Sequence, residues 1–470
     1  MWKTTTVLLV LSIGAYQLMF QSEIQKPDLK ETFWGPEKNR AASTAVRPFN
    51  IDVPKSVIDD LNKRLASPRL NVEPLEGVGW TYGLPATAAK KIIDYWRTKY
   101  NWSERQTLLN KYPQFKTNIQ GLDIHFYHIK PNLPKDRKVK VLPLLLVHGW
   151  PGSIVEFQKI FPLLTTPRPD KDFVFEVIAP SLPGYGFSDG AVRPGLAGAQ
   201  IGVIFKNLMT RLGFEKFYAQ GGDWGAVIVS AMASLFPERI IGVHANMCVG
   251  SKPWNIWNLA GSVFPSLVVD KENEHRMYPL SQHWSRLIEE SGYMHLQATK
   301  PDTIGAALTN SPVSLAVYIL EKFSTWTNNE YKTRNDGGLT EKFTLDELLD
   351  NIMVYWVTDS ITTSARLYAE NFNSKYMQLD IDSLPIDVPS ACAMFPHELV
   401  YIPEKLLRSR YVNLIHFKDM PRGGHFAAFE EPVLLADDVF TFVHKVEERI
   451  KNERKKALAQ EQDNKKPKTT

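Results

Sequence analysis

Asp223 stands at the centre of Gly221-Gly222-Asp223-Trp224-Gly225, between a short apolar run, Lys216 to Ala219, and a helical stretch, Ala226 to Phe236. A glycine-flanked turn from strand to helix packs tightly and holds one side chain out at the end of a sheet. A carboxylate presented there is already anionic near neutral pH and needs no base before it attacks. It is ineffective against an amide. It can open a strained three-membered ring or displace a leaving group from a saturated carbon, and either reaction leaves an alkyl ester on the protein. A histidine must then activate water against that ester, and an acid must hold the histidine. Of eleven histidines, only His425, in Gly423-Gly424-His425-Phe426, sits in a glycine-rich loop beyond the last apolar strand. The acid expected between the two is Glu398, just past the strand Ala391 to Phe395. Asp387 is the alternative, but it precedes that strand and so lies at its other end.

The order nucleophile, acid, histidine is that of the α/β-hydrolases. In that arrangement the tetrahedral intermediate is held by two backbone N–H groups. One comes from the residue after the nucleophile, here Trp224. The other comes from a loop after an earlier strand, here Trp150 of His148-Gly149-Trp150-Pro151-Gly152. His148 reads as a structural residue of that loop, not as a base. His397-Glu398 lacks the second histidine of a zinc helix, since position 401 is Tyr, and Gly184-Tyr185-Gly186 lacks the third glycine of a dinucleotide loop. No metal and no cofactor is expected.

An opening epoxide and a departing halide need different help. A halide needs N–H donors, usually indoles. An alkoxide needs an acidic hydroxyl, and tyrosine supplies one. Tyr278, Tyr293, Tyr318, Tyr331, Tyr355, Tyr368 and Tyr376 all lie between residues 250 and 384, and their positions alone do not choose among them. An epoxide hydrolase and a haloalkane dehalogenase both remain open on the residues, as does a non-catalytic binding protein of the same fold.

These groups need a frame. Val141 to Val147, Phe173 to Ala179, Lys216 to Ala219 and Ile240 to Asn246 are short apolar strands that alternate with helices such as Leu196 to Leu212. This predicts a parallel sheet buried on both faces, an α/β architecture. Strands resume at Ala391 to Phe395 and Asn413 to Phe417, followed by a helix from Pro432 to about Lys451. The expected organisation is a core at 141–249 and 385–450, a helical lid at 250–384 and an N-terminal wrapping extension at 48–140. A linker at 23–47 precedes the extension, and a disordered polar tail at 451–470 closes the chain.

The chain has 470 residues, 44% hydrophobic and 23% charged, with a net charge of +4. That is ordinary globular composition, with no basic stripe for nucleic acid. Two cysteines, Cys248 and Cys392, suggest no disulfide framework and a reducing compartment. Residues 1–22 read as a membrane anchor. Thr4 to Ser22 is uncharged and as a helix would span about 28 Å. Its end lacks the small residues of a cleavage site, which favours a retained anchor over a cleaved signal. Lys26, Lys30, Lys38 and Arg40 follow it, which puts the body in the cytosol.

Five segments carry a family resemblance: His148-Gly149-Trp150-Pro151-Gly152-Ser153, Pro180 to Ser188, the Asp223 elbow, Glu321 to Thr327, and Gly423-Gly424-His425-Phe426. Together they resemble the microsomal epoxide hydrolases, from about residue 48 to 445, and within them most of all the insect juvenile hormone epoxide hydrolases. The resemblance implies lipophilic epoxide substrates, diol products, no cofactor and a single-pass endoplasmic reticulum anchor. It places the ring-opening tyrosines at Tyr293 and Tyr368 and the charge-relay acid at Glu398.

Overall fold

The apolar run at 141–147 forms the central strand β4 of the sheet. The computed structural model describes residues 25–70, 72–251 and 254–464. The strands are β1 (Arg47–Phe49), β2 (Gln114–Ile119), β3 (Leu122–Ile129), β4 (Lys140–Val147), β5 (Phe173–Pro180), β6 (Phe217–Gly221), β7 (Ile240–Ala245), β8 (Ser390–Met394) and β9 (Leu414–Asp419). They make one sheet in the order β1-β2-β3-β5-β4-β6-β7-β8-β9. From β5 to β9 the pairs are parallel, and β1, β2 and β3 extend the sheet antiparallel through β5.

Burial on both faces follows from the alternation of side chains along each strand. On β4, Leu145 and Val147 join the layer of α1 (Gly198–Arg211) and α2 (Trp224–Leu235), with Ile201, Phe205, Ile228 and Met232. Leu144 and Leu146 face the other layer, where Leu435, Val439, Phe440 and Val443 come from the C-terminal helix, Pro432–Asn464. Continuous apolar strands are what such a two-sided core requires.

A helical insertion separates β7 from β8. It includes α3 (Gly292–Thr299), α4 (Pro312–Thr325), α5 (Leu345–Val357) and α6 (Ile361–Phe372). The start of α5 is fixed by a capping box of Thr344 and Glu347. Phe323 of α4 stacks on Phe426 of the core at 4.0 Å between ring centroids, which seats the insertion over the C-terminal ends of the strands. The C-terminal helix, now α7 (Pro432–Asn464), closes the chain.

Three expectations are corrected. The segment 48–140 is not only a wrapping extension, because β1, β2 and β3 belong to the sheet. Their signal is a hairpin at Gln120-Gly121, both with positive φ, flanked by half-polar strands whose alternation is weak. The polar tail at 451–470 is helical as far as Asn464. That stretch has no glycine or proline and is mostly Lys, Arg, Glu, Gln, Ala and Leu, which are strong helix formers, so it extends the packed part of α7 with residues 451–462 exposed. Cys248 and Cys392 form a disulfide. The bond joins the residues where the insertion leaves and re-enters the core, a pairing that sequence separation alone does not suggest. The anchor expected at residues 1–22 lies outside the described residues. Among the described residues no single helix is long and apolar enough to cross a membrane.

Candidate active site

Val147 of β4 pairs with Gly221 of β6, so the loops leaving these strands run side by side. Asp223 follows with φ 51° and ψ −130°, a conformation that costs a non-glycine residue and persists only where its surroundings enforce it. Those surroundings require glycine at two places. A Cβ on Gly225 would lie 2.0 Å from the Val147 carbonyl oxygen, and one on Gly149 would lie 2.1 Å from Asp223 Oδ1. The Trp150 N–H donates to Asp223 Oδ1 at 2.8 Å. Trp224 opens α2 directly after Asp223, and its N–H is at the positive end of that helix.

The insertion holds the Trp150 loop in place. Asn351 Nδ2 donates to the Pro151 carbonyl at 2.8 Å, and the Tyr355 hydroxyl donates to the Gly152 carbonyl at 2.7 Å. His148 is buried, with Nε2 accepting the Leu182 N–H at 3.1 Å and Nδ1 on the Gly149 carbonyl at 3.0 Å. Burial pushes its pKa down to about 4. It is a neutral structural residue, as expected from sequence.

His425 joins the two acids. Its Nδ1 is 2.6 Å from Glu398 Oε1, and its Nε2 is 3.3 Å from Asp223 Oδ2. Burial alone would depress its pKa. The Glu398 charge and the Asp223 hydrogen bond outweigh burial and hold it well above the usual histidine range. In the resting site it is therefore an imidazolium between two carboxylates. Asp387 is exposed at the far end of β8 and takes no part.

Tyr293 of α3 and Tyr368 of α6 meet over the elbow. The Tyr293 ring stacks on Trp150 at 5.1 Å, and the Tyr368 ring stands edge-on to Trp224 at 4.9 Å and to Tyr293 at 5.8 Å. Burial, then the Asp223 charge, raises the Tyr293 hydroxyl, and a hydrogen bond with Tyr368 partly opposes this. Burial also holds Tyr368 well above its ordinary value. Both therefore stay protonated, as donors must. Tyr278, Tyr355 and Tyr376 engage their hydroxyls elsewhere, on Asn258, Gly152 and Ala199.

A cavity of about 620 Å³, lined in part by Met277, Leu287, Met294 and Val400, reaches Tyr293, Trp326 and Glu398. It is large enough for an extended lipophilic molecule.

Sequence reasoning missed the support around His425. The Trp326 carbonyl accepts the His425 N–H at 3.0 Å. The Glu430 carboxyl accepts the N–H groups of Gly424 and Phe426, each at 2.8 Å, and brackets the loop. Burial pushes Glu430 up to about 8. Its one sequence signal is an acid in the otherwise apolar Phe426 to Phe429 neighbourhood. Glu156 was missed likewise, hidden in Ile154-Val155-Glu156-Phe157.

Comparison with known proteins completes the description. Residues 46–157 match the family model described as epoxide hydrolase N terminus, and residues 143–388 match alpha/beta hydrolase fold. Juvenile hormone epoxide hydrolase 1 of Ctenocephalides felis is 52% identical over 95% of this chain and 97% of its own. Epoxide hydrolase 1 of Sus scrofa is 45% identical over 96% of this chain and 100% of its own. The crystal structure of juvenile hormone epoxide hydrolase from the silkworm Bombyx mori superposes with a TM-score of 0.88 at 49% identity. That match covers 89% of this chain and 99% of the other.

Proposed function

The chain belongs to the epoxide hydrolase family and hydrolyses epoxides to diols; on that premise we propose that it does so through an alkyl ester on Asp223. The observation that carries this is the division of the Asp223 carboxylate. Oδ1 is held by the Trp150 N–H, while Oδ2 faces His425. In the first step a carboxylate oxygen bonds to a ring carbon and the ring C–O bond breaks. Tyr293 and Tyr368 stabilise the oxygen that departs, and one of them gives it a proton.

Esterification removes the Asp223 charge. One of the forces that raise the His425 pKa disappears with it, so the imidazolium gives up its proton, which restores the tyrosine, and becomes the base for the second step. Water oxygen bonds to the ester carbonyl carbon and its proton passes to His425. The Trp150 and Trp224 N–H groups stabilise the oxyanion. The bond to the alkyl oxygen then breaks, the alkoxide takes the proton from His425, and the acid regenerated at Asp223 gives its proton to the imidazole, which restores the resting carboxylate and imidazolium. Glu398 keeps the imidazole oriented and stabilises its charged form throughout.

A dehalogenase would need indole N–H groups on its leaving group. An epoxide needs a hydroxyl donor instead, and Tyr293 and Tyr368, packed against Trp150 and Trp224 beside Asp223, offer two, which supports the epoxide reading. The relatives named for juvenile hormone, together with the volume of the large cavity, support juvenile hormone and related lipophilic epoxides as substrates. Higher kcat/KM for a juvenile hormone than for a simple aryl epoxide is the expected result; equal values would point to a broad xenobiotic role. Residues 250–384 act in this reading as the lid over the site. The uncharged stretch Thr4 to Ser22 supports retention at the endoplasmic reticulum membrane with the body on the cytosolic side. The covalent step is tested with His425→Gln. It should still open the ring and then stall, gaining the mass of one substrate. Absence of any adduct would contradict it.

A further inference from the structure

Glu156 is a half-buried acid that the two-step chemistry above leaves without a task. It lies in the short helical turn Ile154–Phe157, whose start is capped by Ser153. Its carboxyl folds back over Gly152 so closely that a Cβ on that glycine would meet Glu156 Oε1 at 1.4 Å. There it faces a separate cavity, distinct from the large one, lined by Asp223, His425, Gln220 and Asn246 among others. The space open to the centre of a water molecule is about 20 Å³, enough for one water. The Ser153 backbone N–H is one partner of the Glu156 carboxyl, and Glu156 also borders this cavity. A cavity of this size beside a carboxyl, a carboxylate nucleophile and a histidine is a place for a water molecule.

We propose that this cavity is the site of the hydrolytic water and that Glu156 is a positioning residue for it. The inference rests on the reading of Asp223 as the esterified nucleophile. The water must give one proton to His425 Nε2 and aim a lone pair at the ester carbonyl carbon. One hydrogen bond leaves it free to rotate. A second, from its other O–H to the Glu156 carbonyl oxygen, fixes the lone pair. The water oxygen then bonds to the carbonyl carbon, one proton goes to His425, and Glu156 neither gains nor loses a proton. The titratable groups that face Glu156 are Asp223 from the elbow, His425 and Glu430 from the loop after β9, and Tyr355 from α5. Burial, reinforced by the Asp223 and Glu430 charges and opposed by His425, pushes Glu156 up to about 8. It is thus neutral at working pH. A second anion here would hold His425 protonated and repel the oxyanion forming on Asp223, so neutrality suits the task.

The test separates ring opening from ester hydrolysis in single-turnover reactions with enzyme in excess. Glu156→Gln keeps a carbonyl oxygen and should hydrolyse the ester within about threefold of wild type. Glu156→Leu should open the ring at the wild-type rate but hydrolyse the ester about 10- to 100-fold more slowly, the loss of one hydrogen bond in the transition state. The adduct should then accumulate and be visible by intact mass. Ring opening itself reports a folded site, and Glu156→Ala serves if Leu does not fold. Wild-type hydrolysis in both Leu and Ala, with an adduct still trapped in His425→Gln, would overturn the role of Glu156 alone. An unlabelled, unmodified enzyme in every variant, His425→Gln included, would overturn the covalent reading beneath it. Slowing of both steps equally would also overturn the proposal, since a merely structural residue does that.

Discussion

The two oxygens of the Asp223 carboxylate meet different neighbours, and the proposed mechanism gives each neighbour a separable role. Changing both Tyr293 and Tyr368 to Phe should abolish ring opening, because the alkoxide then has no donor. Either single change should leave partial activity, lower by about 10- to 100-fold. Stopped-flow quenching of tryptophan fluorescence can follow the step, and normal turnover by the double variant would remove these tyrosines from the chemistry. Glu398→Gln should act on the other step. Without the Glu398 charge the histidine loses its largest upward influence, so the imidazolium is less stable and ester hydrolysis slows while ring opening persists. Asp223, Glu398 and His425 were legible in the sequence because each follows an apolar strand in a fixed order. Tyr293 and Tyr368 were not, since they come from separate helices of the insertion and only a family resemblance picks them from seven tyrosines. Glu430 brackets the His425 loop and Glu156 borders a water-sized cavity, placements that spacing does not display.

At the scale of elements, α7 is pinned to the sheet by Asp438. Its carboxylate lies 3.0 Å from His244 Nε2 on β7 and 2.8 Å from His416 Nε2 on β9, fully buried. Burial would raise its pKa, but the two histidine hydrogen bonds outweigh it and hold the group far below the carboxylate range. A carboxyl depressed in the folded state contributes stability above the unfolded value, about pH 4, and that stability is lost as pH falls below it. Urea melts should therefore show a drop below about pH 4 that Asp438→Asn lacks. Asp438→Leu should cost about 3–5 kcal/mol at neutral pH, by leaving the Nε2 atoms of two buried histidines without their partner; an unchanged midpoint would refute the pinning role. The parallel strands were readable from continuous apolar runs. The strands β1 to β3 were not, because half-polar edge strands carry a weak pattern and their order in the sheet depends on distant partners.

Across the whole molecule, the Cys248–Cys392 bond closes a loop of 144 residues around the insertion. Such a cross-link stabilises by about 4–5 kcal/mol, chiefly by restricting the unfolded chain. Cys248→Ser should lower Tm by about 5–10 °C and leave kcat nearly unchanged, because neither cysteine reaches the site. Maleimide labelling after unfolding without reductant should modify no thiol, and labelling of both would show the pair to be reduced. Both cysteines are fully buried, which shields the bond from thiols in solution. Removing residues 1–22 should release the protein from carbonate-washed membranes with its activity intact; retention in the pellet would show a second attachment. The account as a whole turns on where the second oxygen of the diol originates. In a single turnover in ¹⁸O-water with enzyme in excess, attack by Asp223 delivers a carboxylate oxygen to the substrate. The diol should be unlabelled and the label should remain on the peptide containing Asp223. A fully labelled diol at the first turnover would mean that water attacks the epoxide directly, and would contradict the account.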